Sequence, residues 1–401
     1  GNIAGMHTTG ESREAFGLSP NGFERREMRI AILGTRGIPS GYSGYETFAE
    51  EVGRRFVERG HDVTVYCRRA LFKEKPATFL GIKMLYLPSI QTKSLGTFTH
   101  TFLCALHLVF RRADVALFVN VANSPFCLIT KLAGMKTALN VDGLEWLRPK
   151  WGPLGKKYFR TAARIAKYTT HELITDANRM KEIYQEEFSA HSTMIAYGAN
   201  IMSSSRPELL DPLCIKKGEY FFTACRLVPD NNVDLMIEAF LRTDTTKKYV
   251  IAGGTPYESP YVAKLKGMAD NRVVFLGHID DQNFIRELHC NAFAYLHGHQ
   301  YGGTNPTLLK ALAFGNCVLA LNTEFNREVL GGYGIFFKKD VSDVELRLRE
   351  VLEHPEIQVR LARNAPDRIR EKYTWDIVTD QYEALCKRLI GREQPWRASE
   401  P

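Results

Sequence analysis

Residues Gly298–Gly315, GHQYGGTNPTLLKALAFG, join a strand to a helix through a glycine-rich loop. The apolar run Ala292–Leu296 (AFAYL) before them is strand-like. Thr304 or Asn305 is placed to cap a helix that has Pro306 at its first position. Leu308, Leu309, Leu312 and Ala313 then recur at helical spacing, and Cys317–Leu321 (CVLAL) starts another strand. Such a junction gathers free backbone N–H groups and the positive end of a helix dipole at one point, a natural seat for phosphate. An ordinary βα turn has the same local pattern, so the stretch alone leaves both readings open.

The same plan opens the chain. Met28–Gly34 (MRIAILG) reads as a buried strand, and the loop Thr35–Gly44 carries three glycines. A helix follows from about Tyr45, with Phe48, Val52 and Phe56 every four residues, and Gly60 ends it. His61–Cys67 is the next strand. This βαβ opening predicts a doubly wound sheet. Further strands are expected at Lys83–Leu87, Val115–Val119, Thr137–Val141 and Leu173–Thr175, with a helix over about Leu154–Tyr168. The pattern restarts after Ser203–Pro212. Strands are expected at Tyr220–Ala224, Lys248–Ala252 and Val273–Leu276, and helices at Asn232–Leu241, Pro355–Glu371 and Trp375–Leu389.

The expected fold class is α/β, with two Rossmann-like doubly wound domains facing a central cleft. The boundaries are 1–27 (flexible extension), 28–205 (first domain), 206–374 (second domain) and 375–401 (a helix closing back on the first domain, plus a tail). Gly1–Glu27 lacks the apolar core of a secretory signal. Ligands of such sheets lie outside the carboxyl ends of the strands, so two facing sheets suit two substrates.

Composition narrows the partners. The 401 residues are 44% hydrophobic, as in ordinary globular proteins, and carry a net charge of +8. A pI near 9.0 suits phosphates, an anionic membrane or nucleic acid without choosing among them. The eight cysteines form no CxxC pair and read as free thiols in a reducing compartment. Arg148–Tyr168 holds seven basic residues and no acidic one, interleaved with aromatics. Ser94–Phe110 is uncharged and ends at Arg111–Arg112; it reads as membrane-facing or as a buried amphipathic helix, and is too short to span a bilayer. No nucleic-acid recognition module is present.

Five ordered blocks carry a resemblance: ILGTRGIPSGYSGYETF (Ile32–Phe48), NVDGLEWLRPKW (Asn140–Trp151), RLVPDNN (Arg226–Asn232), HGHQYGGTNPTLL (His297–Leu309) and NTEFNREVL (Asn322–Leu330). Together they resemble bacterial GT-B glycosyltransferases of the family-4 type, and more narrowly the rhamnosyltransferase branch that builds capsule, O-antigen and cell-wall polysaccharide. The resemblance implies a retaining transferase with neither metal nor other cofactor. Its donor would be dTDP-L-rhamnose or a relative, and its acceptor a saccharide on undecaprenyl diphosphate. It would work in the cytoplasm, peripherally at the inner face of the membrane.

The resemblance assigns roles residue by residue. Arg226 would neutralise the leaving diphosphate, a task suited to a bidentate guanidinium. Gly302, Gly303, Thr304 and Asn305 would donate to the β-phosphate, with His299 near the sugar. Many relatives carry Lys five residues after the Arg; Asn231 stands there and would donate a neutral hydrogen bond. The family usually has two Glu in this region, the second on the ribose; the two positions are Gly302 and Lys310 here. A lysine cannot accept from ribose hydroxyls, so Lys310 would reach a phosphate instead, or would mark an altered donor or a degenerate enzyme. Asp142, ahead of Glu145, would act as base on the acceptor hydroxyl, although Asp-Gly is also ordinary turn chemistry. Gly41, Gly44, Glu46 and Trp146 would lie on the acceptor side. His297 and His299 form an HxH pair with no third ligand evident, which argues against a metal.

Two rival classes remain at this level. Arg68–Arg69 after the second strand suits an NADP phosphate in an oxidoreductase, but GTRGIPSG is not GxGxxG. Lys310 also suits a non-catalytic relative that binds glycan.

Overall fold

A computed structural model of the chain describes residues 27–39, 44–90, 95–149, 151–254 and 259–391. The expected extension at 1–26, the tail after 391 and Gly41 lie outside the described residues.

The first sheet has eight strands: β1 (Arg29–Leu33), β2 (Asp62–Arg68), β3 (Thr78–Phe79), β4 (Ile82–Leu87), β5 (Val115–Val119), β6 (Lys136–Asn140), β7 (Glu172–Thr175) and β8 (Thr193–Met194). Their order is β3-β4-β2-β1-β5-β6-β7-β8, parallel except for the β3–β4 hairpin. The second has six parallel strands: β9 (Tyr220–Ala224), β10 (Lys248–Ala252), β11 (Val273–Gly277), β12 (Ala294–His297), β13 (Val318–Leu321) and β14 (Gly334–Phe337), ordered β11-β10-β9-β12-β13-β14. In each sheet the order reverses at one point, between β1 and β5 and between β9 and β12, where open α/β sheets bind ligands. The central strands are buried on both faces, as in Val115–Val119, which is why they read as unbroken apolar runs rather than alternating ones.

The helices follow the sequence pattern closely. Phe48, Val52 and Phe56 of the helix Gly44–Glu58 are buried against the first sheet. The uncharged stretch of double reading forms the helix Leu95–Arg111, with Cys104, Ala105 and Leu108 buried in the first domain and Phe102, Leu106 and Phe110 exposed. No helix among the described residues is long and apolar enough to cross a membrane. The helices Ser124–Leu132 and Asn178–Phe188 and the strand β14 were not foreseen. All eight cysteines are unpaired.

The last helix, Trp375–Leu389, crosses back to the first sheet. The Trp375 ring lies where a side chain at Gly198 would be, 2.6 Å from the ideal Cβ position. The Tyr382 hydroxyl accepts from Asn140 Nδ2 at 2.9 Å. Arg59 donates to Glu383 at 2.6 Å and His61 lies 3.1 Å from it. Burial raises the Glu383 carboxyl, but hydrogen bonds from Lys387, Arg59 and His61 outweigh it and hold the group at about 2. A carboxyl depressed from its usual 4.5 stabilises the fold fully above 4.5 and loses that contribution as pH falls towards about 2. Glu383→Gln is therefore expected to lower the melting temperature at neutral pH and to flatten the stability profile between those two values, as read by thermal melts across pH.

Candidate active site

The two sheets turn their strand ends towards each other, and loops from both meet at the glycine stretch. After β12 the chain runs through Gly298–Asn305 into the helix Pro306–Ala313. Asn305 is the cap: its side chain accepts from the Thr307 N–H at 2.9 Å, and Pro306 takes the first helical position. Gly302 has φ +137, a conformation that favours glycine, and a Cβ there would meet open space. Across the cleft, a Cβ on Gly143 would lie 3.4 Å from the Gly302 Cα, and one on Gly44 3.2 Å from the Pro306 ring. Gly44 thus lets the first helix of one domain approach the capped helix of the other.

Thr304 N–H donates to Asp176 Oδ2 at 3.0 Å, and its hydroxyl donates to the Asp176 carbonyl. Asp176 directly follows β7. Burial first, and then the charge of Asp142, push its carboxyl well above the usual range, against hydrogen bonds from its own N–H and that of Thr304. The next turn is tied to the second domain as well. Glu328 accepts from the Asn178 N–H at 2.7 Å, and Glu324 pairs with Arg179 at 2.7 Å.

Asp142 ends up at the same place. It sits at φ +59 just past β6, half-buried, with its N–H on Asn140 Oδ1 at 3.1 Å. Aspartate is among the few side chains that enter this region readily. The half-buried Tyr45 and the buried Tyr197 both feel its charge. Glu145 is placed differently: its oxygens take the Arg148 guanidinium at 3.2 Å and the Trp151 indole N–H at 2.7 Å, so this carboxylate is committed to bracing the loop. The expectation for Trp146 is corrected. Its ring is 5% exposed and packs edgewise on Tyr184 and Phe188, inside the domain core, out of reach of a sugar. Glu46 is likewise buried, accepting from the Arg36 N–H at 2.7 Å; it shapes the first loop from the positive end of its helix.

On the donor side, Arg226 is exposed after β9, and its carbonyl accepts from Asn231 Nδ2 at 2.7 Å. That bond commits one of the two Asn231 amide hydrogens to the turn. His297 and His299 stack with ring centroids 4.4 Å apart. Burial pulls His297 down to about 3, and burial with the charges of His297, Arg226 and Arg148 pulls His299 well down. Both rings are neutral at physiological pH. The charges of Arg148, from the first domain, and Arg226, from the second, thus both bear on His299, while the Arg148 guanidinium itself pairs with Glu145. Lys310 is half-buried and donates to Gln282 Oε1 at 3.2 Å, and burial lowers its pKa. Among the described residues no group of three His, Cys, Asp or Glu could hold a metal ion. The Arg68 guanidinium donates to Thr97 at 2.8 Å, a bond that engages it within its own domain.

Asp176, Arg148, Tyr45 and Tyr197 escaped the sequence reading. For Asp176 a signal existed: it follows the expected strand Leu173–Thr175, and strand ends in these sheets face the ligand.

Residues 206–368 match the family described as glycosyl transferases group 1, and residues 115–200 match a domain of unknown function (DUF1972). No curated protein matches the sequence. Among solved structures, Anabaena Alr3699/HepE in complex with UDP is similar at TM-score 0.72 and 15% identity, over 90% of this chain and 100% of that one. Sucrose-phosphate synthase from Thermosynechococcus elongatus is similar at TM-score 0.77 and 13% identity, over 92% and 100%. The alpha,alpha-trehalose-phosphate synthase (UDP-forming) from Burkholderia xenovorans is similar at TM-score 0.68 and 9% identity, over 89% and 100%. At these identities the likeness shows the fold, which is that of the GT-B glycosyltransferases. With the group 1 match across the second domain, it supports the glycosyltransferase class.

Proposed function

We propose that this protein transfers a sugar, L-rhamnose from dTDP-L-rhamnose, to a saccharide carried on undecaprenyl diphosphate, with retention at the transferred carbon. The observation that carries the reading is the convergence of strand-end loops from both sheets on one glycine loop and one capped helix start, with Arg226 beside it. The bond from the sugar carbon to the diphosphate oxygen breaks while the acceptor oxygen forms the new one. The departing charge falls to Arg226, the glycine-loop N–H groups and the helix dipole, with no metal needed. Asp142 is the carboxylate that takes the acceptor proton. The preference for rhamnose rests on the resemblance of HGHQYGGTNPTLL and its companion blocks.

A membrane-facing acceptor is supported by the surface of the first domain. The helices Leu95–Arg111, Ser124–Leu132 and Pro153–Thr169 lie side by side, linked by ring contacts of Phe98 with Phe126 and Tyr158. Phe102, Leu106, Phe110, Leu128 and Leu132 are exposed along the first two, Phe110 to 86%. Arg111, Arg112 and the basic helix flank them. Apolar side chains bordered by cations suit an anionic bilayer surface. The double variant Phe110→Ser/Leu132→Ser is expected to weaken partitioning onto vesicles containing anionic lipid at least about a hundredfold, since each buried apolar side chain contributes roughly 1.5–3 kcal/mol and about 1.4 kcal/mol is tenfold. Dissolved nucleotide binding should be unchanged.

Calorimetric titration with dTDP-rhamnose, UDP-glucose, GDP-mannose and NADPH tests the donor. Selective binding of dTDP-rhamnose is the expected result; another nucleotide sugar would keep the chemistry and change the donor. NADPH binding alone would move the chain to the oxidoreductases. Lys310 motivates a second reading, a non-catalytic glycan-binding relative. Acceptor binding without turnover of any donor would favour it.

A further inference from the structure

The glycine loop is built to receive an anion, and in this structure a side chain of the opposite domain sits on it. A Cβ on Gly303 would fall 1.7 Å from Asp176 Oδ1 and 2.2 Å from its carboxyl carbon, so the carboxyl rests directly on the loop backbone. Oδ2 takes the Thr304 N–H at 3.0 Å, ahead of the Pro306–Ala313 helix start. Oδ1 is buried with no hydrogen-bond partner, and the residue is 1% exposed. A single carboxyl thus fills the position but uses only part of what the loop and helix dipole offer. Asp142, Glu328 and the hydroxyls of Tyr184, Tyr197 and Tyr382 lie around it, and none brings a positive charge.

We propose that Asp176 competes with a nucleoside diphosphate for the anion site of the glycine loop: carboxyl and diphosphate take the Thr304 N–H in turn, so that donor binding is coupled to separation of the β7 and β12 loops. The proposal rests on the nucleotide-sugar reading given above. A diphosphate brings more charge and more acceptors than one carboxyl, and the two cannot share a single N–H. The contact that Asp176 makes is also a bond between the domains. Its displacement would remove one of the links across the cleft on the Thr304 side, where the Glu328 and Glu324 contacts and the packing of Phe325 also join the domains.

The test is calorimetric titration of the full chain and of Asp176→Ala and Asp176→Asn with dTDP, UDP and inorganic pyrophosphate. Removing an internal competitor raises affinity, whereas loss of a merely structural contact lowers it or leaves it alone. Asp176→Ala is expected to bind dTDP or UDP, and pyrophosphate, about tenfold more tightly, within the usual range of coupling between sites. Asp176→Asn keeps the volume and an acceptor oxygen for the Thr304 N–H, and should show a smaller gain in the same direction; it stands in if the alanine variant fails to fold. Small-angle scattering should give a larger radius of gyration for Asp176→Ala than for the parent without added nucleotide. Binding by the parent with equal or weaker binding by both variants overturns the competition and leaves the donor reading standing. No binding of any probe by any of the three chains overturns both.

Discussion

Arg226→Ala is expected to lower kcat/KM for sugar transfer by about 10³-fold, in line with the loss of one preorganised charge from a developing oxyanion. The guanidinium leaves the second sheet just past β9, at the point where the strand order reverses, and its charge bears on His299 next to the glycine loop. With neutral histidines and no metal in the proposed mechanism, it would be the second domain's main cation for the leaving diphosphate. The loss should fall mostly in kcat, because the charge it meets is greatest as the sugar–oxygen bond breaks. Arg226→Lys should recover part of the rate, since a lysine restores the charge but not the two parallel bonds of a guanidinium. Steady-state kinetics of the three chains with the donor that calorimetry selects would decide. Equal kcat/KM in Arg226→Ala and the parent would remove Arg226 from the mechanism.

The second large effect is on stability. Gly253→Ala is expected to destabilise the second domain by about 3 kcal/mol, from backbone strain and a forced contact together, which lowers its melting temperature by roughly 10 °C. Gly253 sits just past β10 at φ +129, and its N–H donates to the Gly277 carbonyl at 2.6 Å. A Cβ there would lie 1.8 Å from the Cys225 carbonyl oxygen, a backbone atom with nowhere to swing. Relief requires moving Cys225, whose own N–H is tied to Ala252 at 3.0 Å, and Arg226 is the next residue. Nucleotide affinity should therefore fall along with stability. A calorimetric melt and a nucleotide titration of the same variant check both; an unchanged melting temperature would mean the turn yields more easily than its geometry implies.

The contrast between Asp142 and Glu145 shows where sequence reading stops. Both lie in VDGLEW and both were candidates for the base. Only the folded chain shows that Arg148 and Trp151 claim the Glu145 oxygens, while Asp142 sits at positive φ with its charge bearing on Asp176. Trp146, one residue on, was expected on the acceptor side and is a core side chain. Within one loop the periodicity is too short to say which face each residue takes.

Local chemistry fixes the elements: apolar runs of strand length, helical spacing after them, Asn305 and Pro306 at a helix start, and glycine where the backbone must turn or come close. These interactions lie within a few residues, so the two sheets and the glycine loop at the cleft were legible before any coordinates. The partners of Asp176 were not. Its contact with Gly303 and Thr304 joins two domains across 128 positions of chain, and no local pattern encodes which strand end will meet which loop. The same holds for Glu383 meeting Arg59 and His61. Burial and distance decide these, and both exist only once the two sheets have closed on each other.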